Sequence, residues 1–103
     1  MNIELLIVSD CPHGPAAAAL IRTAVADTGV KATVFGTIIT TEDEARGRGF
    51  TGSPTILLNG SDPFAQSGAP VALSCRLYST SDGLRGVPGL RDLRQALKRV
   101  AAG

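Results

Sequence analysis

A short polar turn between two apolar segments carries the two side chains best suited to chemistry, Cys11 and His13. Residues 3–8 form a nearly continuous apolar run, typical of a strand buried on both faces. Residues 15–28 repeat apolar side chains at helical spacing. The turn therefore lies at a helix N-terminus, where unpaired N–H groups, the helix dipole and a protonated His13 would favour a thiolate over a thiol. This predicts Cys11 as a nucleophilic thiol; the alternatives are an inert cysteine and an exposed His13 without a role.

Another apolar run, residues 54–58, follows Ser53 and begins with Pro54 and Thr55. The run ends at an Asn-Gly turn signal. Proline is accepted at the first position of a strand because that position need not donate a hydrogen bond to the ladder. A cis peptide bond before proline also costs little compared with any other residue type. We therefore predict a cis Ser53–Pro54 bond at the start of a third strand.

The elements around these groups follow from hydrophobic periodicity. Residues 31–39 are rich in β-branched side chains and predict a second strand. The first strand, the helix and this second strand then form a right-handed βαβ unit with parallel strands. A capping-box pattern that begins at Thr41 predicts a short helix, which Gly47 and Gly49 end early.

The C-terminal half predicts two more elements, a fourth strand at residues 73–78 and an amphipathic helix at residues 90–100. Loops rich in Gly, Pro, Ser and Asp separate them, at residues 59–72 and 79–88. The resulting order β-α-β-α-β-β-α predicts one α/β domain over the whole chain, with a mixed four-stranded sheet and helices on both faces.

A cysteine followed by proline at the first strand–helix turn, together with a later Ser53-Pro54-Thr55-Ile56 strand start, resembles the thioredoxin superfamily. The resemblance extends over most of the chain and implies a thioredoxin-like fold. It also implies that Cys11 is the catalytic nucleophile, with His13 beside it, and that Pro54 lies against Cys11 and shapes a substrate groove. The residues expected to contact the substrate are Pro12, Ser53 and Thr55.

The chain departs from that superfamily at Gly14. The redox motif of the superfamily is Cys-x-x-Cys, in which the second cysteine releases the mixed disulfide formed by the first. Here the motif reads Cys11-Pro12-His13-Gly14. The resemblance then implies a monothiol thiol–disulfide oxidoreductase, similar to monothiol glutaredoxins, without a cofactor. Its partners would be a low-molecular-weight thiol, which resolves the mixed disulfide, or a protein disulfide.

Cys75 has two interpretations. It alternates with Leu73 and Leu77, so all three are expected on one side of the fourth strand, with Arg76 and Tyr78 on the opposite surface. One interpretation is a buried core cysteine, the usual state of a free cysteine. The other is a second thiol of the site. A fourth strand two steps from the first lies roughly 10 Å away, beyond the reach of a disulfide with Cys11.

Two other functions remain open at this point. The first is a non-catalytic adaptor whose groove beside Pro54 holds a peptide. The second is a two-cysteine soft-metal site, because thiolates bind soft metals such as Hg or Cu(I). The stretch around Cys75 resembles, distantly, the second cysteine of the organomercurial lyases, although Gly14 stands where that family has an aspartate and Asp10 is the nearest acidic residue. No metal ligand set is predicted from the single histidine.

Composition excludes several partner classes. The chain has 103 residues, a formal net charge of +1 and 4% aromatic residues. Neither nucleic acid nor an anionic membrane is expected as a partner for so neutral a chain. No apolar run approaches the ~20 residues of a membrane helix. No signal-peptide pattern is found, and two cysteines in such a chain predict reduced thiols in the cytoplasm.

Overall fold

The computed structural model describes all residues, 1–103, as a three-stranded sheet with helices on both faces and a separate hairpin. The elements in chain order are β1 (Asn2–Ile7), α1 (Gly14–Thr28), β2 (Thr33–Ile38), α2 (Glu42–Arg48), β3 (Thr55–Leu58), β4 (Tyr78–Thr80), β5 (Gly83–Arg85) and α3 (Leu90–Ala102). The sheet order is β2-β1-β3, with β1 parallel to β2 and antiparallel to β3. The predicted βαβ unit is therefore present, with β1 at the centre of the sheet.

The two faces of the sheet bury separate clusters. Alternate residues of β1, Ile3 and Leu5, pack with the apolar stripes of α1 and α3. Leu6 faces the other side, where α2 and its flanking residues contribute a smaller cluster that contains Ala45 and Phe50. Thr41 caps α2 by accepting a hydrogen bond from the Glu44 N–H, as the capping box predicts. The central strand is thus covered on both faces, and its C-terminal end projects the turn that carries Cys11.

The predicted fourth strand of the main sheet is wrong. Residues 73–77 form no strand, and only Cys75 among them makes a β-bridge, parallel to Ser53. The chain instead turns into a two-stranded antiparallel hairpin, β4–β5, which begins at Tyr78, the last residue of the predicted strand, and otherwise lies in the region predicted as a loop at 79–88. The sheet therefore has three strands, with a separate hairpin, in place of the predicted four. The reason is that the segment after residue 72 pairs with the start of β3 at a single β-bridge and forms no further ladder.

None of the three helices has the length and apolar content needed to cross a membrane.

Candidate functional site

Cys11 lies in the tight turn that joins β1 to α1. Its N–H donates to the carbonyl of Val8 at 3.3 Å, and its own carbonyl accepts from the Gly14 N–H at 3.2 Å. The preceding residue, Asp10, has a φ of 61°, a left-handed conformation that aspartate tolerates better than most residues. Cys11 is 8% exposed and makes no disulfide. The turn therefore holds a free, nearly buried thiol three residues before Gly14, the first residue of α1.

Gly14 occupies the position at which a resolving cysteine would stand. A Cβ built on Gly14 would lie 4.0 Å from the Cβ of Cys11 and 3.4 Å from the Cδ1 of Ile7. Two cysteines with a Cβ separation of roughly 3.5–4.5 Å are within disulfide geometry. The backbone therefore has the spacing of a dithiol turn, while the sequence supplies one thiol to it.

The His13 side chain does not cap α1 and lies against the C-terminal part of the chain. It is the N-cap residue of α1 but makes no side-chain capping hydrogen bond. Its imidazole packs against Gly86, since a Cβ added to Gly86 would lie 2.5 Å from the imidazole Cγ. It also lines a cavity of about 630 Å³ with residues of the hairpin and the start of α3. Pro12, between Cys11 and His13, is exposed.

The Ser53–Pro54 bond is cis, and both residues are fully buried. The Ser53 hydroxyl accepts a hydrogen bond from the Val8 N–H at 3.1 Å. Val8 is also the residue whose carbonyl receives the Cys11 N–H. The start of β3 and the turn that carries Cys11 are therefore tied to one residue at the end of β1.

Thr55 is also fully buried, and its side chain is engaged inside the protein. Its hydroxyl donates to the Gly52 carbonyl at 2.6 Å and accepts from Nη1 of Arg76 at 3.2 Å. The side chains of Ser53 and Thr55, which the sequence suggests as substrate contacts, therefore bond to the protein itself.

Residues 72–76, which we call the strap, run alongside the start of β3. The Ser53 N–H donates to the Ser74 carbonyl at 2.8 Å, and the Ser53 carbonyl accepts from the Arg76 N–H at 3.0 Å. A further bond runs from the Ala72 N–H to the Phe50 carbonyl at 3.4 Å. Both backbone groups of Ser53 are thus used within the chain.

Cys75 is exposed, and its flanking Leu73 and Leu77 are 37% and 60% exposed. The expectation of a core position for these three residues is wrong. Arg76 and Tyr78, expected on the outer surface, point inward instead. Alternation identifies which residues share a side of an extended segment, but the side that is buried depends on what packs there.

Arg76 is the centre of a polar network on the inner side of the strap, which hydrophobic periodicity does not indicate. Its guanidinium pairs with the Asp62 carboxylate at 2.7 Å, and the two side chains are only 9% and 11% exposed. Nη2 donates to the Phe64 carbonyl at 2.7 Å. The guanidinium also lies 4.5 Å from the centroid of the Tyr78 ring, at cation–π distance. The acidic residue in the 59–72 loop and the arginine in the following apolar stretch are the signals that suggest such a pair.

Tyr78 connects the same network to the proline. Its hydroxyl donates to the Pro54 carbonyl, and its ring meets Phe64 edge-on with centroids 5.7 Å apart. Burial raises the pKa of the Tyr78 phenol well above its usual value, since the charged form would lose its hydration. Tyr78 is therefore a neutral hydrogen-bond donor that holds the residue at the start of β3.

The structure thus brings together Cys11, Gly14 and, through Val8, the Ser53–Pro54 segment. Cys75 reaches that segment through Ser53, with its thiol on the exposed side. No group of three or more His, Cys, Asp or Glu side chains comes together anywhere in the chain in a way that could hold a metal ion. The chemistry available at the turn is that of a single thiol.

A family model described as a thioredoxin domain matches residues 1–71. The matched region contains the turn with Cys11 and the Ser53–Pro54 segment, and the strap begins directly after it. No curated protein and no solved structure matches the chain.

Proposed function

We propose, for a chain that belongs to the thioredoxin domain family, that Cys11 carries out monothiol thiol–disulfide exchange. The observation that carries this proposal is the relation between Cys11 and Gly14. The backbone spacing fits a dithiol pair, with 4.0 Å between the Cβ of Cys11 and a Cβ at Gly14, but Gly14 has no sulfur. We therefore assign the resolving thiol to another molecule.

The proposed reaction has two exchange steps. In the first, the Cys11 thiolate attacks one sulfur of a disulfide, the S–S bond breaks, and the departing thiolate takes up a proton. Cys11 is left in a mixed disulfide. In the second, the thiolate of a low-molecular-weight thiol attacks the substrate-derived sulfur of that mixed disulfide. Cys11 leaves as a thiolate, and the external thiol ends in a new disulfide with the substrate fragment.

The position at the N-terminus of α1 supports the role of Cys11 as both nucleophile and leaving group. The sulfur of Cys11 attacks in the first step and leaves in the second, and the start of a helix offers unpaired backbone N–H groups to a group in that position. The Cys11 side chain also makes no disulfide that would have to be reduced before reaction. We place the activity in the cytoplasm, where free thiols are kept reduced.

The test is turnover of 2-hydroxyethyl disulfide with reduced glutathione as the external thiol. We expect wild-type protein to accelerate the exchange, Cys11→Ser to lose the acceleration, and Cys75→Ser to keep it. The Cys75→Ser variant is the matched control because it removes the other free cysteine from an exposed position. Equal rates for wild type and Cys11→Ser would overturn the proposal in favour of a non-catalytic adaptor.

A further inference from the structure

The strap occupies the backbone edge of Ser53 at the start of β3, the segment whose Ser53 hydroxyl bonds to Val8 just before the Cys11 turn. Extended peptides bind a protein by adding hydrogen bonds to a free strand edge. At the start of β3 that edge is the N–H and carbonyl of Ser53, and these groups are bonded to Ser74 and Arg76 of the same chain at 2.8 and 3.0 Å. A second extended segment therefore finds no free backbone group at Ser53.

The buried Arg76 side chain anchors the strap to Thr55 and to the loop that contains Asp62 and Phe64. The Arg76 guanidinium bonds to Asp62, to Thr55 and to the Phe64 carbonyl, and its ion pair with Asp62 is almost completely buried. Removing one partner from a buried ion pair leaves an uncompensated charge, so displacement of the strap that broke this pair would be unfavourable.

The strap also depends on Gly52, which lies beneath it. Gly52 has a φ of 137°, a conformation open to glycine and strained for other residues. A Cβ at Gly52 would lie 2.7 Å from the Cβ of Arg76. The backbone at residues 52–53 is therefore adapted to the close approach of the strap.

We infer that the strap restricts Cys11 to small disulfides and excludes extended protein segments as substrates. This inference rests on the proposed function, since it names the substrate class of the same thiol. The exposure of Cys11, 8%, agrees with it, because a small disulfide needs only a narrow approach to the sulfur. The strap thus takes the hydrogen-bonding position at Ser53 that an extended substrate segment would use.

The experiment compares the stoichiometric reactions of single thiols with two pyridyl disulfides. One reagent is 2,2′-dithiodipyridine, and the other is an uncharged extended peptide whose central cysteine carries a pyridyl disulfide. In each reaction the thiolate attacks the S–S bond and displaces pyridine-2-thiolate, which is measured as the thione by absorbance. Cys11 is followed in the Cys75→Ser variant, and Cys75 in the Cys11→Ser variant serves as the exposed control thiol.

We expect the rate ratio of small reagent to peptide to be at least about tenfold larger at Cys11 than at Cys75, because the strap excludes an extended peptide from Cys11, whereas the Cys75 thiol is exposed. Asp62→Ala, made in the Cys75→Ser background, should lower that ratio toward the value for Cys75 because it frees Arg76. Asp43→Ala is the matched control, since it breaks an Asp–Arg pair at the exposed end of α2 and should leave the ratio unchanged.

Equal ratios at the two thiols would overturn the inference, and so would a ratio that Asp62→Ala leaves unchanged. If circular dichroism shows that Asp62→Ala does not fold, amide hydrogen exchange of the wild-type protein decides. The Arg76 N–H bonds to Ser53, whereas the neighbouring Cys75 N–H makes no backbone bond. Slow amide exchange at Arg76 together with fast exchange at Cys75 supports a strap that stays bonded to Ser53. Equally fast exchange at the two amides refutes the inference. These measurements need no turnover, so failure of the proposed function leaves them interpretable.

Discussion

The Cβ position of Gly14 lies 4.0 Å from the Cβ of Cys11, a separation at which two cysteines can form a disulfide. The protein therefore has the backbone of a dithiol turn with one of the two sulfur atoms missing.

Gly14→Cys, made in the Cys75→Ser background, is expected to convert the single-thiol reaction into a two-thiol reaction. The reduced parent protein should release one equivalent of 2-mercaptoethanol from 2-hydroxyethyl disulfide and stop at the mixed disulfide. The variant should release two, because the new thiol displaces the second fragment and closes an intramolecular disulfide. Thiol release is measured in the absence of glutathione.

Gly14→Ala is the control for this variant, since it introduces the same Cβ near Ile7 without a thiol. It should release one equivalent, as the parent does. Two equivalents from Gly14→Ala, or one from Gly14→Cys, would contradict the geometry described for the turn.

Asp62→Ala is expected to lower the free energy of unfolding by about 3–5 kcal/mol, because it leaves the Arg76 charge buried without its partner. Asp43→Ala, which breaks a solvent-exposed pair, should lower it by at most about 1 kcal/mol. Urea denaturation of the two variants gives the comparison. Similar losses in the two proteins would show that the buried pair contributes no more than a surface pair.

Tyr78 is expected to make stability fall in alkaline solution. The folded-state pKa of Tyr78 lies above the ordinary value of 10.0. Its contribution to the free energy of unfolding is therefore complete below about pH 10 and is lost progressively as the pH rises above that value. It is the only tyrosine of the chain, and there is no tryptophan, so phenolate absorbance reports this side chain alone. We expect phenolate absorbance to appear together with unfolding, not before it.

Tyr78→Phe should remove this alkaline loss of stability. At neutral pH it should cost about 1–2 kcal/mol, since the buried Pro54 carbonyl loses its donor while the ring contacts with Phe64 remain. Ionisation of Tyr78 near pH 10 in the folded protein would refute the assignment.

Cys11 and Cys75 are expected not to form a disulfide within one molecule. Val8, Ser53 and Cys75 lie side by side, so the strap is two lateral steps, or roughly 10 Å, from the end of β1, from which the turn with Cys11 departs. A disulfide requires Cα atoms within about 7 Å. Non-reducing peptide mapping after mild oxidation should find Cys75 linked between molecules. An abundant Cys11–Cys75 peptide from monomeric protein would assign Cys75 as the resolving thiol.

Much of the turn around Cys11 could be predicted from the sequence because its signals are local. The apolar run before Asp10 and the helical spacing after Pro15 define a strand–helix junction, and observed β1 and α1 begin or end within one residue of the predicted bounds. The absence of a thiol at Gly14 is likewise visible without a structure. Together these features determine that any thiol chemistry at this turn depends on one cysteine.

The position of the strap was decided by tertiary structure alone. Alternation placed Cys75, Leu73 and Leu77 on one side, but the apolar composition of that side suggested the core, and the structure exposes it. The reason is that the opposite side carries Arg76 and Tyr78, whose burial depends on partners distant in sequence. Arg76 is neutralised by Asp62, 14 residues earlier, and Tyr78 donates to Pro54, 24 residues earlier. Periodicity contains no information about such pairs, because it describes which residues share a face and not which charges and acceptors that face will meet.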